Sequence, residues 1–554
     1  MPSGLRKTTG NHFEIYYEQP WGGVADYANP VDIQPNELVA AQGVIAVDGE
    51  LSAVVLQANQ DPNFAFITPY VANAVVILMW SMNGAMYALD NFGNIYNNHT
   101  PGSGFLYDCS ASDGPWSGIN GFNAVGAVKV INGTAYITIA QRTSVYSFVP
   151  TTHVFTLGSN YVGGLVMGVL DDYLLLLNCT QSSGGASPSM ISWSGPGEFT
   201  TWNPSVNQLA GYNELATIDD QLTGFLSFAS VGVAISGKGL VELSPTGVGI
   251  GPFSFTPLWT SVVGQGSIYP LSITQYGQQG YLITDSGAYA VSASAGFSDI
   301  STKAKTLILG SFQDPSYVSY TSGTTEVTGN VLLSFYNLSY PTPYYVMIAP
   351  QIAAGGLYII WFYDLSSGNW YSSTFDPAFL TNQQHSTNLP LAGQSGATFS
   401  AANIYTLQPM VPLGSAFGAP FTPVTLVQFN TLYEGVSYTT IAQFLLYNSR
   451  SQGGFSSNVN LTLTMRAEEI KLERQPTIRR VVVKAYGFGT LNISVSGKSF
   501  GVITLNGSSI PKSYLAQSGI YTGEDPQLTI TSSNFQGSII KVMLAGTYAD
   551  GDID

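Results

Sequence analysis

The chain has 554 residues, of which 45% are hydrophobic, 12% aromatic and only 9% charged, with a formal net charge of -16. That length exceeds the roughly 250–300 residues at which a single core stops growing, so two or more domains are expected. The 33 Tyr and 28 Phe exclude a disordered chain, and the acidic balance opposes tight binding to a phosphate backbone.

A charged fraction far below the ~25% of ordinary soluble domains leaves Ser, Thr, Asn, Gln and Gly to solvate the surface, which suits burial by neighbouring subunits. The first residues, MPSGLRKTTGNHFEIYYEQPW, contain no apolar h-region, and no window reaches the ~18 apolar residues of a membrane span. The expectation is folding in a reducing cytoplasm, so the Asn-x-Ser/Thr triplets at Asn98, Asn132, Asn178, Asn337, Asn460, Asn492 and Asn506 carry no glycosylation message. Cys109 and Cys179 are too few and too far apart to form a disulfide framework or a thiolate metal site, and are read as buried thiols.

In chain order, the stretch from Asn36 to Gln42, after Pro35, is the best candidate for a helical turn; long amphipathic helical periodicity is otherwise missing. A hairpin unit then recurs: an apolar strand, a Gly- or Asn-containing turn and a Tyr-rich strand. It appears at 75–98 (VVILMWSMNGAMYALDNFGNIYNN), 127–150, 166–179 with 190–195, 231–245, 271–294 and 331–350 with 357–374, and a weaker copy lies at 397–409. Turn markers Gly84, Gly133, Asp172, Gly237 and Gly280 are separated by 49, 39, 65 and 43 residues, close to the ~40–50 of a four-stranded propeller blade with one longer insertion. The alternative is a pair of packed sandwiches. The phrase YDLSSGNWYS at 363–372, a strand end, a Ser/Gly turn and a Trp opening the next strand, favours blades.

Beyond about residue 420 the composition changes. Residues 60–430 hold five basic and seventeen acidic residues, a net of -12, whereas 431–554 hold ten basic and nine acidic residues. The expected fold is therefore all-β, with an N-terminal arm and docking segment (1–60), a β-propeller-like domain (61–425) and a C-terminal β-sandwich (426–554). The joint falls near Pro412, Pro420 and Pro423.

Candidate chemistry is sparse. His12, His99, His153 and His385 have no second ligand at metal spacing. The dyads Asp171-Asp172 and Asp219-Asp220 suit turns better than paired acid/base work. The nearest Asp-box of a sialidase, SDGPW at 112–116, has the wrong spacing, and Arg142 is the only arginine in the propeller region where a sialidase needs three. No nucleophile elbow, phosphate loop or calcium loop occurs. Arg466, Lys471, Arg474, Arg479, Arg480, Lys484 and Lys498 could form an anionic-partner patch, but Glu468, Glu469 and Glu473 among them point to a salt-bridged strand face. Aromatics near Trp116, Tyr161 and Trp202 could stack on sugars, or fill cross-strand pairs. No catalytic, cofactor-binding or metal-binding residue is assigned.

The segment QPWGGVADYANPVDIQPNELVAAQGVIAVDGEL (19–51) resembles the opening of the tail nozzle, or tail-stabilisation, proteins of short-tailed bacteriophages, through Gly22, Gly23, Asn29, Pro30, Asp32, Ile33, Pro35, Glu37, Asp48 and Gly49. The stretch 191–204 (ISWSGPGEFTTWNP, with Trp193, Ser194, Phe199, Trp202 and Pro204), then 239–247, 266–292 and ISTK at 300–303, follow the order of that family. The resemblance spans about residues 19–375. It departs at Leu51 and Ser52, where the family carries a basic residue, and the C-terminal domain has no match.

The resemblance implies a non-enzymatic virion protein forming a six-fold ring below the portal and adaptor. Such a ring docks tail fibres or spikes and passes DNA without binding it. A conduit with acidic walls repels phosphates, so the lumen of the ring is expected to be negative. The alternative function is a glycan-binding or host-recognition propeller.

Overall fold

The computed structural model describes residues 4–9, 12–18, 21–25, 37–59, 76–82, 85–90, 94–97, 106–109, 125–131, 134–140, 144–149, 154–159, 161–181, 185–215, 218, 220–247, 251–258, 266–267, 269, 272–293, 296–312, 320–322, 325–327, 333–337, 344–353, 357–375, 398–399, 425–433, 436–448, 460–466, 476–523 and 526–548. The fold is all-β and propeller-like. Five separate four-stranded sheets follow one another, each a simple antiparallel meander. Sheet I comprises Val76–Met82, Ala85–Asp90, Ile95–Asn97 and Leu106–Cys109; sheet II comprises Val125–Ile131, Thr134–Ala140, Val145–Val149 and Val154–Ser159. Sheet III runs through Val162–Leu170, Tyr173–Gln181, Gly185–Trp193 and Gly211–Glu214, and sheet IV through Leu222–Ser227, Gly232–Ser236, Leu240–Pro245 and Phe253–Pro257. Sheet V holds Thr274–Tyr276, Gln279–Thr284, Gly287–Ser292 and Gly296–Asp299. A sixth meander, sheet VI, is formed by Leu333–Asn337, Tyr344–Ala353, Leu357–Asp364 and Trp370–Phe375.

The sheets arise where the apolar runs were read, and their turns explain the spacing. Leu170 pairs with Tyr173 across Asp171-Asp172, with Asp171 at a φ of 54°, a left-handed conformation that Asp tolerates in a two-residue hairpin. Both aspartates are thus turn residues; Asp220 lies in a bend, and Asp219 falls outside the described residues. Asp172 lies in the first hairpin of sheet III, whereas Gly84 and Gly133 fall outside the described residues, between strands in which Met82 pairs with Ala85 and Ile131 with Thr134. Gly237 instead marks the second hairpin of sheet IV, and Gly280 lies inside a strand of sheet V. The long gap therefore combines a shifted marker with a real insertion, the loop between Trp193 and Gly211 in sheet III.

First strands of successive sheets lie against each other, I on II, II on III, III on IV and V on VI. Between IV and V an apolar cluster of Leu226, Phe228, Leu282 and Tyr289 is joined by a polar contact: Gln275 accepts from the Ser227 amide at 2.9 Å, and its Nε2 donates back to the Ser227 carbonyl. Converging strands need room, and glycine supplies it. A Cβ at Gly168 would clash with the edge of the Phe225 ring of the next sheet, and one at Gly224 would meet the Ile273 side chain.

The remaining strands build a second unit around one long hairpin, Pro476–Val495 with Lys498–Ala516, closed by Ser496-Gly497 at φ 45° and 80°. Buried Val481, Val483, Ala485, Ile493 and Val495 alternate with outward residues, the period-two pattern of a half-buried strand. Gln536–Tyr548 pairs along one half of the first long strand and Gln527–Ser532 along the other. The segment 1–60, expected as an arm, is woven into this unit. His12–Glu18 pairs with Gln536–Tyr548, Glu50–Asn59 pairs with Val436–Asn448, and Ala40–Gln42 pairs with Leu461–Arg466.

Two local expectations are corrected. The helical turn expected from Asn36 to Gln42 is not formed over its described residues, 37–42: Leu38 bridges Val24, and Ala40–Gln42 is a strand held by partners on both sides, so tertiary pairing overrides local propensity. A helix that the sequence pattern did not reveal runs over Lys305–Phe312. The weak copy at 397–409 is described only at Thr398–Phe399.

If the glycine contacts set the approach of the sheets, Gly168→Val should lower stability by about 1–3 kcal/mol through overpacking. Gly310→Ala, in the helix with nothing near its would-be Cβ, should be neutral or mildly stabilising. Urea midpoints of the two variants check this, and equal midpoints would contradict it.

Candidate functional site

Motifs widely separated in sequence converge where the N-terminal segment crosses sheets V and VI. The Val24 amide donates to the Trp370 carbonyl and the Leu38 amide to the Gly23 carbonyl, both at 2.8 Å. Gly23 has a φ of 73°, and a Cβ there would sit 2.8 Å from both the Asn369 Cβ and the Trp370 oxygen, so this close crossing requires glycine. Asn369 Nδ2 donates to the Trp21 carbonyl at 3.2 Å, and Trp370 Nε1 to the Ile300 carbonyl at 2.7 Å.

The YDLSSGNW phrase acts here as a turn that aims these groups. Asp364, 4% exposed, accepts from the Ser366 amide and hydroxyl at 2.8 and 2.7 Å and from the Ser367 hydroxyl at 2.7 Å. Gly368, at φ 71°, returns its amide to the Asp364 carbonyl, so the strand reverses and delivers Asn369 and Trp370 to the N-terminal segment.

An ion pair between a buried carboxylate and a partly exposed lysine completes the junction. Glu37, 3% exposed, meets Lys303 at 2.8 Å. Two residues on, Lys305 pairs with Asp299, whose other oxygen holds the Ser301 amide and hydroxyl. Aromatic rings fill the space between sheets V and VI: Tyr281 stacks on Tyr345 at 5.3 Å, and Tyr363 lies 4.9 Å from Trp370. Trp361 donates to the Ser311 hydroxyl of the helix, and Tyr345 to the Ser272 carbonyl. Burial pushes the Tyr281 and Tyr269 hydroxyls up to about 12, with Tyr363 and Tyr276 adding to the first and Asp285 to the second. Burial likewise raises the Tyr371 hydroxyl.

The other motif residues sort differently. The insertion of sheet III is self-satisfied. Trp193 Nε1 donates to the Leu209 carbonyl, Ser194 Oγ accepts from the Leu174 amide, and Glu198 accepts from Asn207. Trp202, read as a possible exposed sugar platform, is 1% exposed and packs with Leu174, Leu176 and Cys179. The apolar Phe199 and Trp202 beside Pro204 carried that signal. Cys179 is a buried free thiol whose pKa is raised by burial. In the basic stretch, Arg480 pairs with Glu14 of the N-terminal strand at 3.4 Å, a partner no local spacing reveals. His99, His153, His385, Trp116, Arg142, Lys471, Arg474, Glu468, Glu469 and Glu473 lie outside the described residues. Among the described residues no group of three His, Cys, Asp or Glu side chains could hold a metal ion, and no helix is long and apolar enough to cross a membrane.

No protein-family model and no curated protein matches the chain. Among solved structures, it is similar to the AfRom2 CNH domain at 9% identity and a TM-score of 0.35, covering 71% of this chain and 100% of that one. YCF48 from Cyanidioschyzon merolae follows at 11% identity, TM-score 0.27, 39% of this chain and 69% of that one. An exo-β-1,3-galactanase from Phanerochaete chrysosporium has 12% identity, TM-score 0.24, 88% of this chain and 100% of that one. Likenesses this distant say nothing about activity.

Two outcomes test the junction. Lys303→Ala should destabilise by about 1 kcal/mol through loss of its pair with Glu37, and Glu37→Gln in the same chain should recover part of that loss in a double-mutant cycle. Independent single effects would contradict the pairing. Because the raised tyrosines hold their protons above the ordinary value near 10, their contribution is complete below pH ~10 and is lost as pH rises through about 12. Stability measured by denaturant should therefore fall across that window, and less steeply in Tyr281→Phe; an unchanged slope in the variant would count against it.

Proposed function

We propose that this chain is a structural subunit of the tail of a short-tailed bacteriophage. It is a nozzle protein that extends the DNA-ejection channel below the portal and adaptor and offers its sides to tail fibres or spikes. The reading is non-enzymatic and places the protein in the virion, as a ring of six assembled in the host cytoplasm.

The observation that carries it is the meeting of the resemblance motifs. Glu37 from the Asp-Ile-x-Pro-x-Glu phrase and Lys303 from ISTK pair although nearly half the chain separates them, and Trp21 and Gly23 of the opening phrase meet Asn369 and Trp370, whose indole N–H donates to Ile300 of ISTK. Short matches scattered by chance would have no reason to touch. The low charged fraction of 9% supports the same reading, since the sides of a ring subunit are covered by sister copies. The net of -12 over residues 60–430 suits a conduit whose wall must repel phosphate. The glycan-binding alternative loses Trp202 as a platform, because that ring is buried.

Negative-stain imaging of the purified chain, alone and mixed with virion-derived portal–adaptor complexes, tests the proposal. The expected image is a six-membered ring with an open channel seated on the adaptor. A chain that ignores the adaptor and binds a glycan array would overturn it.

A further inference from the structure

The two units of the chain carry exposed patches of opposite sign, each with an apolar centre. On the outer face of the C-terminal sheet, Tyr16, Met543, Val482 and Leu515 lie in one cross-strand row. Directly opposed residues on neighbouring strands share a face, so this row is a continuous apolar stripe, with Leu515 51% exposed. Parallel to it runs the row Glu18, Lys541, Lys484, with Arg480 on the other side. Lys541 and Arg480 have acidic partners in Glu18 and Glu14, whereas exposed Lys484 and Arg479 make no ion pair among the described residues. The face is net positive.

The opposite surface lies on sheet III. Residues 143–237 contain no Lys or Arg at all, and their described acidic residues are Asp171, Asp172, Glu198, Glu214 and Asp220. The outer strand of this sheet presents Tyr212 and Glu214 on its exposed face, and the preceding insertion exposes Val206 at 76%. An acidic rim with an apolar centre and no internal cation matches, in charge and in apolar content, a basic face with an apolar stripe.

We infer that these surfaces are the two halves of one heterologous contact: the basic C-terminal face of one copy docks on the acidic rim of sheet III of the next. Because the two patches are different surfaces, the contact repeats head to tail and closes into a ring when the rotation permits. This inference deepens the nozzle reading by naming the surfaces that join its subunits, and it rests on that reading only for the closure at six.

Two full-length variants, each blocked on one surface, test it. The first carries Lys484→Glu and Leu515→Asp, and the second Tyr212→Lys and Glu214→Lys. All four positions are exposed, and melting curves like those of the parent chain establish folding; should the first variant melt early, Lys484→Gln alone replaces it. In sedimentation velocity the parent chain should assemble, less so as salt rises. Each variant alone should lose at least about tenfold in self-association, and a mixture of the two should form one-to-one dimers that grow no further, since only one productive surface pair remains. Variants that assemble like the parent, a mixture that stays monomeric, or a parent chain that does not self-associate would each overturn the docking. Binding of the parent chain to the portal–adaptor complex is read separately, so the docking can fail while the nozzle reading stands.

Discussion

Everything in this fold hangs on the hydrogen bonding of one extended stretch, residues 37–47, between two sheets. The Gly43 amide donates to the Ser372 carbonyl of sheet VI, and the Val39 amide to the Thr464 carbonyl of the C-terminal unit. Gln42 pairs in parallel with Ser372 on one side and antiparallel with Thr462 on the other. Sheet VI and the C-terminal strands thereby become one hydrogen-bonded sheet, while sheets I–V remain separate. A short strand with both edges occupied exposes no unpaired backbone, and its side chains Ala41, Val44 and Ile45 are buried in the largest core. The Asp48-Gly49 hairpin, at φ 48° and 79°, then turns the chain back so that Leu51, Ala53 and Val54 enter the same core.

Much of the fold was legible because its sheets obey local rules. Apolar runs broken by Gly, Asn or Asp turns place the strands of sheets I to VI, and the pattern survives because consecutive strands pair with each other. What the sequence hid is what depends on distant partners. Ala40–Gln42 has the composition of a helical turn and becomes a strand only because Thr462–Thr464 and Ser372 flank it. The helix Lys305–Phe312 carries no amphipathic signal: Ile308 and Ser311 are buried and Leu307 exposed, so its polar and apolar side chains do not sort onto separate faces. The weaving of residues 12–18 into the C-terminal sheet was equally invisible, since alternation identifies a strand and not its neighbour.

At the junction, the residue types were visible and their meeting was not. YDLSSGNW announced a turn by its Asp, Ser and Gly, and that turn is built as those residues suggest. That Asn369 would reach the Trp21 carbonyl, or that Glu37 would find Lys303, follows from the order in which the motifs occur only once the sheets are assembled. Trp202 was misleading because an aromatic in a Gly/Pro-rich insertion looks exposed, whereas here the insertion folds back and seats the ring between sheets II and III. The few charges of the chain are segregated, acidic over residues 60–430 and mixed over 431–554.

The clamp can be tested through its amides. Native-state hydrogen exchange should show Val24, Val39 and Gly43 opening only with the global unfolding of both units, because their acceptors belong to sheet VI and the C-terminal sheet. Exchange of these three amides near the rate of an exposed loop, while Val346 and Val483 stay protected, would show that the two units stand without the clamp and would contradict its central place.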